Sequence, residues 1–481
     1  MDNRSLTKNT LIYLPLKLIE GIAGVVTLNR LTSMFSTEAY GDFVTVNTSI
    51  NLAYLILVAW LTNAAGRYVL ELNASNSRSE HYSSTFAAFI VVVLPCLLFS
   101  LLSGLFWPAA EYRVIFFLAG GMFLSYSLFQ LASVHLIRLG RAKVFSALSL
   151  MNASAKPLLA IVLFSRSGDI ENISPALVAY IISDLAAGVL SLFFLRSPGF
   201  ISFKEISFSR CLSYARYGIP LIGTGVGLGL LNMSDRFLVD WLIGGTGLSV
   251  YSANYSIASV VFTMLMAGVM RGVYPQIIAS FNRDGVSGAL PLLNRAAELY
   301  VLFALPSAFG LAALSDRISA LLFERPEYAA GSGIGAVVAF AMFFWGLSEY
   351  SNKAFELNGN TKKIFVYSMS AALLNILLNL LTLKHFGFYA AALNTLLAFL
   401  FYFILSYTGA KRQFVFKLSP RLWALYITAS VLCGITARLV SRLFTNHLVS
   451  VIAGVLAGML VYFAVLLISG RAKKLLSDFA K

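Results

Sequence analysis

Charged side chains interrupt several apolar stretches of this chain. The run "GLGLLNMSDRFLVDWLIGG" contains Asp235 and Arg236 side by side, and an arginine at the centre of a bilayer helix costs on the order of 2.5–3.5 kcal/mol. A guanidinium stays ionised and binds two anion oxygens at once. The basic residues in such stretches are Lys17, Arg30, Lys156, Arg236 and Arg271, and the acidic ones are Glu20, Asp184, Asp235, Glu298 and Glu349. They predict either an anion-binding site within the membrane or structural ion pairs.

Several other kinds of chemistry lack a sequence signal. The three cysteines and four histidines are scattered, without the spacing of a disulfide framework, a zinc site or a haem ligand pair. The chain has no G-x-x-x-x-G-K-[ST] phosphate loop and no polar stretch long enough to form a catalytic domain. We therefore expect no enzyme activity, no cofactor and no metal ion.

The elements that position the charged residues follow from composition. Of the 481 residues, 58% are hydrophobic and only 12% are charged, whereas a soluble domain carries about 25% charged residues. Apolar runs of about 20 residues recur throughout, and each could cross roughly 30 Å of hydrocarbon as a helix. Membrane strands would instead alternate polar and apolar positions over about ten residues. The composition predicts an all-α polytopic membrane protein.

The apolar runs predict about fourteen transmembrane helices, centred near residues 22, 54, 95, 126, 154, 185, 224, 261, 308, 343, 373, 398, 430 and 459. The N-terminal stretch lacks a signal cleavage site and is interpreted as the first of them. An even number places both termini on one side, whose loops hold about 24 Lys and Arg against about 7 acids, while the opposite loops hold about 8 against about 10. Both termini are therefore predicted to be cytoplasmic. The net charge of +15 then faces anionic lipid headgroups and requires no nucleic acid.

An internal repeat relates the two halves of the chain. Arg30 and Arg236 each follow a Pro-Leu and an apolar stretch, and each precedes a glycine, Gly41 or Gly247, by eleven residues. Both copies then enter a second span that ends at another arginine. The offset of about 206 residues covers six helices, and an even number of helices preserves orientation in the membrane.

The repeat predicts two six-helix bundles, residues 1–205 and 206–410, followed by an extra helix pair at 411–481. Two such lobes around a central cavity suit alternating access. A transporter is therefore the leading functional class.

Two stretches resemble a known family. "YGIPLIGTGVGLGLLNMSDRFLVDWLIGGTGLSVYSANYSIASVV" is similar to the start of the second half of Wzx-type polysaccharide flippases, and "LNRLTSMFSTEAYGDFVTV" resembles their first periplasmic loop. These flippases belong to the multidrug/oligosaccharidyl-lipid/polysaccharide superfamily. The resemblance implies a protein of the bacterial inner membrane that carries an O-antigen or exopolysaccharide unit, linked to polyprenyl pyrophosphate, to the outer leaflet. An ion gradient or the membrane potential would drive it, as in an antiporter.

The resemblance also implies partners and site residues. The expected partners are the lipid-linked oligosaccharide, membrane lipids and a polysaccharide polymerase or assembly complex. The expected substrate-binding cations of the cavity are Arg30, Arg236 and Arg271, with Lys17 and Lys156 in support. The candidates for an ion-coupling carboxylate are Glu20, Asp184 and Glu298.

Local pairing is the alternative explanation for these charges. Lys17 and Glu20 are three residues apart on one helix and could form an ion pair. Lys156 precedes a proline, which frees a backbone carbonyl for a donor. Asp235 and Arg236 could form a structural pair at a helix end, although Arg30 has no neighbouring aspartate in the repeat.

Three further patterns have structural or functional explanations. Glu349 and Lys353, at i,i+4 spacing, favour a structural pair. The G-x-x-x-G spacings in "GTGVGLG" favour close helix packing. Amide pairs at i,i+4 spacing predict either interhelical hydrogen bonds or sugar contacts: Asn47–Asn51 and Asn375–Asn379.

Three rival functions stay open. A cation-coupled multidrug exporter of the same superfamily would need an acidic cavity, whereas this chain has several intramembrane arginines. A lipid II-type flippase shares the fold and differs in the cargo glycan. A membrane glycosyltransferase or ligase ranks well below both, because it would need a sizeable periplasmic loop with catalytic residues.

Overall fold

The computed structural model describes residues 3–71, 75–195 and 202–471, without the side chains of residues 3–18, 71, 75–77, 111, 220 and 271–272. Within these ranges all regular structure is helical. The α-helices are α1 (Asn3–Met34), α2 (Thr37–Leu57), α3 (Ala59–Tyr68), α4 (Ser75–Phe106), α5 (Ala110–Arg138), α6 (Ala142–Ser167), α7 (Ser174–Leu195), α8 (Phe208–Ile243), α9 (Gly245–Leu322), α10 (Ser332–Leu357), α11 (Lys362–Phe386), α12 (Phe388–Ala410), α13 (Pro420–Ser441) and α14 (His447–Ile468).

The longest helix, α9, is broken in the middle. It runs for 78 residues, but Gly285 has a φ of 66° and a ψ of −147°, a conformation that glycine adopts far more readily than other residues. The break divides α9 into a first limb, 245–284, and a second limb, 286–322. Each limb is long enough to cross a membrane at 1.5 Å per residue.

The helices match the predicted membrane spans. Within the described ranges, ten helices are long and apolar enough to cross a membrane, or eleven if α2 and α3, bent by 50°, form one span. If α9 is counted as two spans, and α1 and α8, which have 32 and 36 residues, are added, the number of spans agrees with the predicted fourteen. The prediction of an all-α polytopic membrane protein is confirmed.

One compact unit comprises Leu11–Phe237. In this unit α5 packs against α4 and α7, and α6 packs against α7. The turns after α1 and α6 are joined, because the Ser36 backbone N–H donates to Ile170 O at 3.0 Å and the Ser36 hydroxyl donates to Glu171 at 2.6 Å. Both turns lie on the side predicted to be periplasmic, so their contact agrees with the predicted grouping of the loops.

The other compact unit comprises Leu238–Lys481 together with Met1–Thr10. In this unit α10 packs against α9 and α12, while α13 and α14 pack against each other and against α9. Tyr462 of α14 donates its hydroxyl to Leu302 O of α9 at 2.7 Å. The lobes at 1–205 and 206–410, with the pair at 411–481, stay a prediction.

Glycines let α8 approach its neighbours closely. A Cβ atom at Gly218 would clash with the backbone carbonyl of Trp60, and one at Gly229 would lie 2.8 Å from Leu55 Cδ1. These contacts fit the packing interpretation of the glycine motif at Gly229. At Gly225 a Cβ atom would meet nothing within 4 Å.

The substitution Gly218→Ala is expected to lower the free energy of unfolding by about 1–3 kcal/mol, because the added methyl group must push α8 away from the α3 backbone. Gly225→Ala in the same helix is the matched control, expected to be neutral or to stabilise by about 0.5–1 kcal/mol. Equilibrium unfolding in detergent measures both variants. Equal stability of the two would contradict the close contact between α8 and α3.

Candidate functional site

Two of the predicted site residues meet between α6 and α7. Lys156 Nζ lies 3.0 Å from Asp184 Oδ1, and the two side chains are 18% and 1% exposed. Asn152, one turn before Lys156, donates its amide to the same carboxylate oxygen at 2.7 Å. The other oxygen, Asp184 Oδ2, is buried without a hydrogen-bond partner. The pair therefore neutralises the lysine and leaves one carboxylate oxygen available.

Aromatic rings surround this ion pair. Lys156 Nζ lies 4.5 Å from the centroid of the Tyr180 ring, close enough for a cation–π interaction. The Tyr180 ring contacts Phe43 edge to face, and Tyr54 contacts Tyr126 in the same way, with ring centroids 5.2 Å apart in both pairs. These rings make much of the setting apolar, and a setting of low polarity strengthens the electrostatic interactions of the charges inside it.

Arg236 is held by its own helix. Its side chain is 17% exposed, and Nη1 donates to Asn232 O at 2.6 Å. Asp235 Oδ1 accepts the backbone N–H of Arg236 at 2.8 Å and lies 3.5 Å from the guanidinium. The Asp235–Arg236 pair thus exists, and one carboxylate oxygen serves both backbone and side chain.

The remaining predicted residues are on α1 and α9. Arg30 is exposed near the end of α1 and forms no ion pair with any residue that the structure describes. Glu20 is half-buried on the same helix and has an interaction partner. The side chains of Lys17 and Arg271 lie outside the described residues, so their predicted roles and the Lys17–Glu20 pair stay predictions.

Glu298 lies in a separate cluster at the C-terminal helices. It accepts a hydrogen bond from the Tyr426 hydroxyl at 2.6 Å and pairs with the guanidinium of Arg471. These contacts tie the second limb of α9 to α13 and to Arg471, three residues after the end of α14. The carboxylate already has two strong partners, and its coupling role stays a prediction.

Lys353 of α10 lies between two carboxylates. Its ammonium contacts both oxygens of Glu356 at 2.7 and 2.8 Å, while Glu349, the partner expected from sequence, is 3.8 Å away. Tyr274 donates its hydroxyl hydrogen to Glu356 at 2.6 Å, and the centroid of its ring lies 4.6 Å from Lys353 Nζ. Two carboxylates and one ammonium give the cluster one excess negative charge. The sequence prediction did not include Glu356, although this residue is at i,i+3 spacing from Lys353.

The asparagines of α11 form an interhelical network. Asn379 donates to Asn375 Oδ1 at 3.0 Å, and Asn394 of α12 donates to Asn379 Oδ1 and to Thr382 at 2.9 and 2.8 Å. Of the two explanations for this amide pair, the contacts favour interhelical hydrogen bonds. Asn51 donates to Asn47 O at 2.7 Å within α2. This contact does not decide between interhelical hydrogen bonds and sugar contacts for the Asn47–Asn51 pair.

Sequence reasoning also missed a buried histidine pair. His81 of α4 and His135 of α5 are 54 residues apart, and their Nε2 atoms are separated by 3.2 Å. Tyr214 of α8 contacts His81 Nδ1 at 2.7 Å. No spacing rule connects positions so distant: His81 lies in the polar stretch "SRSEHYSST", and His135 lies in an apolar run, where a histidine is a weaker signal than an arginine.

The region that holds the predicted cations matches a family model. Residues 6–281 match the model described as polysaccharide biosynthesis protein, which is more than half of the chain. The chain belongs to the polysaccharide biosynthesis protein family. A second model, MatE, matches residues 220–381 and so covers much of the second compact unit of this family member.

Among curated proteins, the chain is similar to the probable low-salt glycan biosynthesis flippase Agl15 of Haloferax volcanii, with 20% identity over 293 residues. The match covers 60% of this chain and 61% of that protein. The chain thus spans less than two thirds of the length of this relative.

Two solved structures share the fold. One, described as lipid II flippase MurJ in an inward closed conformation, has a TM-score of 0.73 at 16% identity and covers 99% of both chains. The other, an inward-facing multidrug resistance MATE family transporter of the MOP superfamily, has a TM-score of 0.68 at 11% identity and covers 86% of this chain and 98% of that one. These likenesses show the fold, and together with the family match they agree with the predicted resemblance to the multidrug/oligosaccharidyl-lipid/polysaccharide superfamily.

Proposed function

We propose that this polysaccharide biosynthesis protein is a flippase for an oligosaccharide linked to polyprenyl pyrophosphate. The observation that carries the proposal is that the family match over residues 6–281 includes all five predicted cavity cations. Curated similarity to a glycan biosynthesis flippase supports it. The headgroup moves from the inner to the outer leaflet of a bacterial inner membrane, with both termini in the cytoplasm.

The chemistry of the cargo suits these residues. A pyrophosphate is anionic, and guanidinium groups bind its oxygens in pairs without losing their charge. Arg30 and Arg236 are the proposed phosphate ligands with described side chains, and Lys17, Lys156 and Arg271 are the other predicted ligands. Tyrosine and amide side chains meet the sugars, while the polyprenyl tail stays in the lipid.

Asp184 is the preferred coupling group of the three candidates. A proton bound at Oδ2, the oxygen without a hydrogen-bond partner, would cancel the charge that holds Lys156. The released ammonium could then bind a cargo phosphate. Loss of the proton would restore the ion pair and displace the phosphate, so the binding of the proton and the binding of the cargo would be linked at this site. Glu20 and Glu298 are the remaining candidates.

A multidrug exporter is the second candidate function. The MatE match over residues 220–381 and the excess negative charge around Lys353 favour it. An organic cation would bind to such a cluster, whereas a pyrophosphate would be repelled. A lipid II-type flippase differs from the first proposal only in its glycan, and the likeness to that fold supports it to the same extent.

Proteoliposomes test the proposal. A fluorescent polyprenyl-pyrophosphate oligosaccharide is expected to change leaflet at least about tenfold faster with the protein than in protein-free vesicles, a barrier reduction of about 1.4 kcal/mol. Separate collapse of the proton gradient and of the membrane potential identifies the driving force. Movement of ethidium but not of the glycan lipid would support the exporter, and equal rates with and without protein would refute the flippase.

A further inference from the structure

The buried histidine pair is set apart from the other histidines of the chain. His81 and His135 are 0% and 3% exposed and face each other across α4 and α5. The other two, His385 and His447, are exposed on α11 and α14. The pair and its neighbours belong to one compact unit, on the side predicted to be cytoplasmic.

When both imidazoles are neutral, the contacts fix the direction of every hydrogen bond in the pair. Leu131 O, 2.8 Å from His135 Nδ1, can only accept, so His135 carries its proton on Nδ1. Its Nε2 then accepts from His81 Nε2–H at 3.2 Å. His81 Nδ1 in turn accepts the Tyr214 hydroxyl at 2.7 Å. In the neutral pair, every ring nitrogen is therefore hydrogen-bonded.

The same contacts allow the pair to take up one proton. A proton that binds His81 Nδ1 reverses the bond to Tyr214, whose hydroxyl hydrogen can turn toward His81 O at 3.4 Å. His81 Nε2–H still donates to His135. A second proton, on His135 Nε2, would place two N–H groups against each other across 3.2 Å. The pair has room for one proton only.

The surroundings do not compensate the charge of that proton. The carboxylate nearest to it in sequence, Glu80, already pairs with Arg210 at 2.8 Å. The other titratable or charged groups around the pair are Tyr82 and Arg78 of α4, Arg138 of α5, Arg141 before α6, Tyr68 of α3, and Cys211 and Tyr214 of α8. A protonated pair buried among them is costly unless water reaches it.

Water can reach the pair if the start of α8 separates from α4. Ser202 N donates to Ser83 Oγ at 2.8 Å, and Ser207 N donates to Ser84 Oγ at 2.9 Å. These bonds and the Tyr214 contact hold segment 202–214 over His81. A cavity of about 20 Å³ beside His135, lined in part by Tyr82 and Thr85, is large enough for one water molecule.

We infer that His81 and His135 form a proton-binding latch: the neutral pair holds segment 202–214 on α4 and α5, and uptake of one proton releases it. The proton comes from water and binds the lone pair of His81 Nδ1. This gate operates without the cargo, so it does not depend on the proposed transport function.

Hydrogen–deuterium exchange of the full chain in detergent tests the latch. After correction for the intrinsic exchange rate, protection of segment 202–214 is expected to be constant from pH 8 to about 6.5, the ordinary pKa of a released histidine, and to fall from there to pH 5 by up to about tenfold per pH unit, the limit for one proton. The double variant His81→Gln/His135→Gln keeps amide donors and acceptors but cannot titrate, so its protection should not depend on pH. The exposed-histidine variant His385→Gln/His447→Gln is the matched control and should behave like the parent chain.

Other variants separate the latch from a purely structural pair. Tyr214→Phe removes the contact to α8 and leaves both imidazoles, so protection should fall at every pH. If the double variant does not fold, the single variants His81→Gln and His135→Gln replace it, each with a smaller pH slope than the parent. Constant protection of the parent chain, an unchanged slope in the glutamine variants, or protection that requires added Zn²⁺ would overturn the inference.

Discussion

Replacing Asp184 with asparagine is expected to lower the free energy of unfolding by about 3 kcal/mol, because it leaves the Lys156 ammonium without its counter-ion in an apolar setting. Asparagine has the size of aspartate and can still accept the hydrogen bond from Asn152, so the variant removes charge and little else. Equilibrium unfolding in mixed detergent micelles measures the effect.

Two controls make this result specific. The double variant Asp184→Asn/Lys156→Met removes both charges and should recover most of the lost stability. Asp284→Asn breaks an exposed pair, in which Arg283 and Asp284 are 77% and 42% accessible, and should change stability by at most about 1 kcal/mol. If Asp184→Asn and Asp284→Asn destabilised the chain equally, the α6–α7 pair would not be an intramembrane ion pair.

The pair also limits what Lys156 can do in transport. Counted alone, Lys156 is a cavity cation; paired at 3.0 Å with Asp184, it contributes no net charge. A cargo phosphate can compete for it only after the carboxylate is neutralised. The two residues that sequence reasoning assigned to different roles, cargo binding and ion coupling, therefore act as one unit in the proposed mechanism.

The fold could be predicted from the sequence because, within a membrane, each apolar run must satisfy its backbone hydrogen bonds internally, and a helix does so. The positions of the helices needed no tertiary information. The bend between α2 and α3 was not predicted, and neither was the break at Gly285 as such. In both cases local backbone geometry decides whether a helix continues, and hydropathy does not report it.

The site was harder to predict because its contacts depend on neighbouring helices. Lys353 had acidic neighbours at both i−4 and i+3, and Tyr274 of α9 decides between them by bonding Glu356. Lys156 and Asp184 are on different helices. The sequence therefore showed that each is a charged residue in an apolar run, which is energetically costly, but it did not show that the two side chains are in contact. His81 and His135 gave no signal, since a neutral imidazole is tolerated where an arginine is not.

Replacing Arg236 with alanine is expected to slow glycan-lipid movement roughly 10–150-fold, which corresponds to the loss of about 1.5–3 kcal/mol from a charge-assisted contact to phosphate. The free energy of unfolding is also expected to fall, by up to about 3 kcal/mol, because the buried Asp235 loses its counter-ion although it keeps its bond to the Arg236 backbone N–H at 2.8 Å. Leaflet movement of the labelled lipid in proteoliposomes, together with unfolding of the same preparation, measures both quantities.

The accompanying variants decide which member of the pair matters. Arg236→Lys keeps the charge without the bidentate geometry and should give an intermediate rate, while Arg30→Ala tests the repeated position in α1. Asp235→Asn should leave the rate within a few-fold of the parent, because an amide oxygen can still accept the backbone N–H. Arg283→Ala removes an exposed guanidinium and should have no effect. A loss of transport in Asp235→Asn equal to that in Arg236→Ala would show that the ion pair acts as a unit, and the arginine alone would no longer explain why a charge lies in this helix.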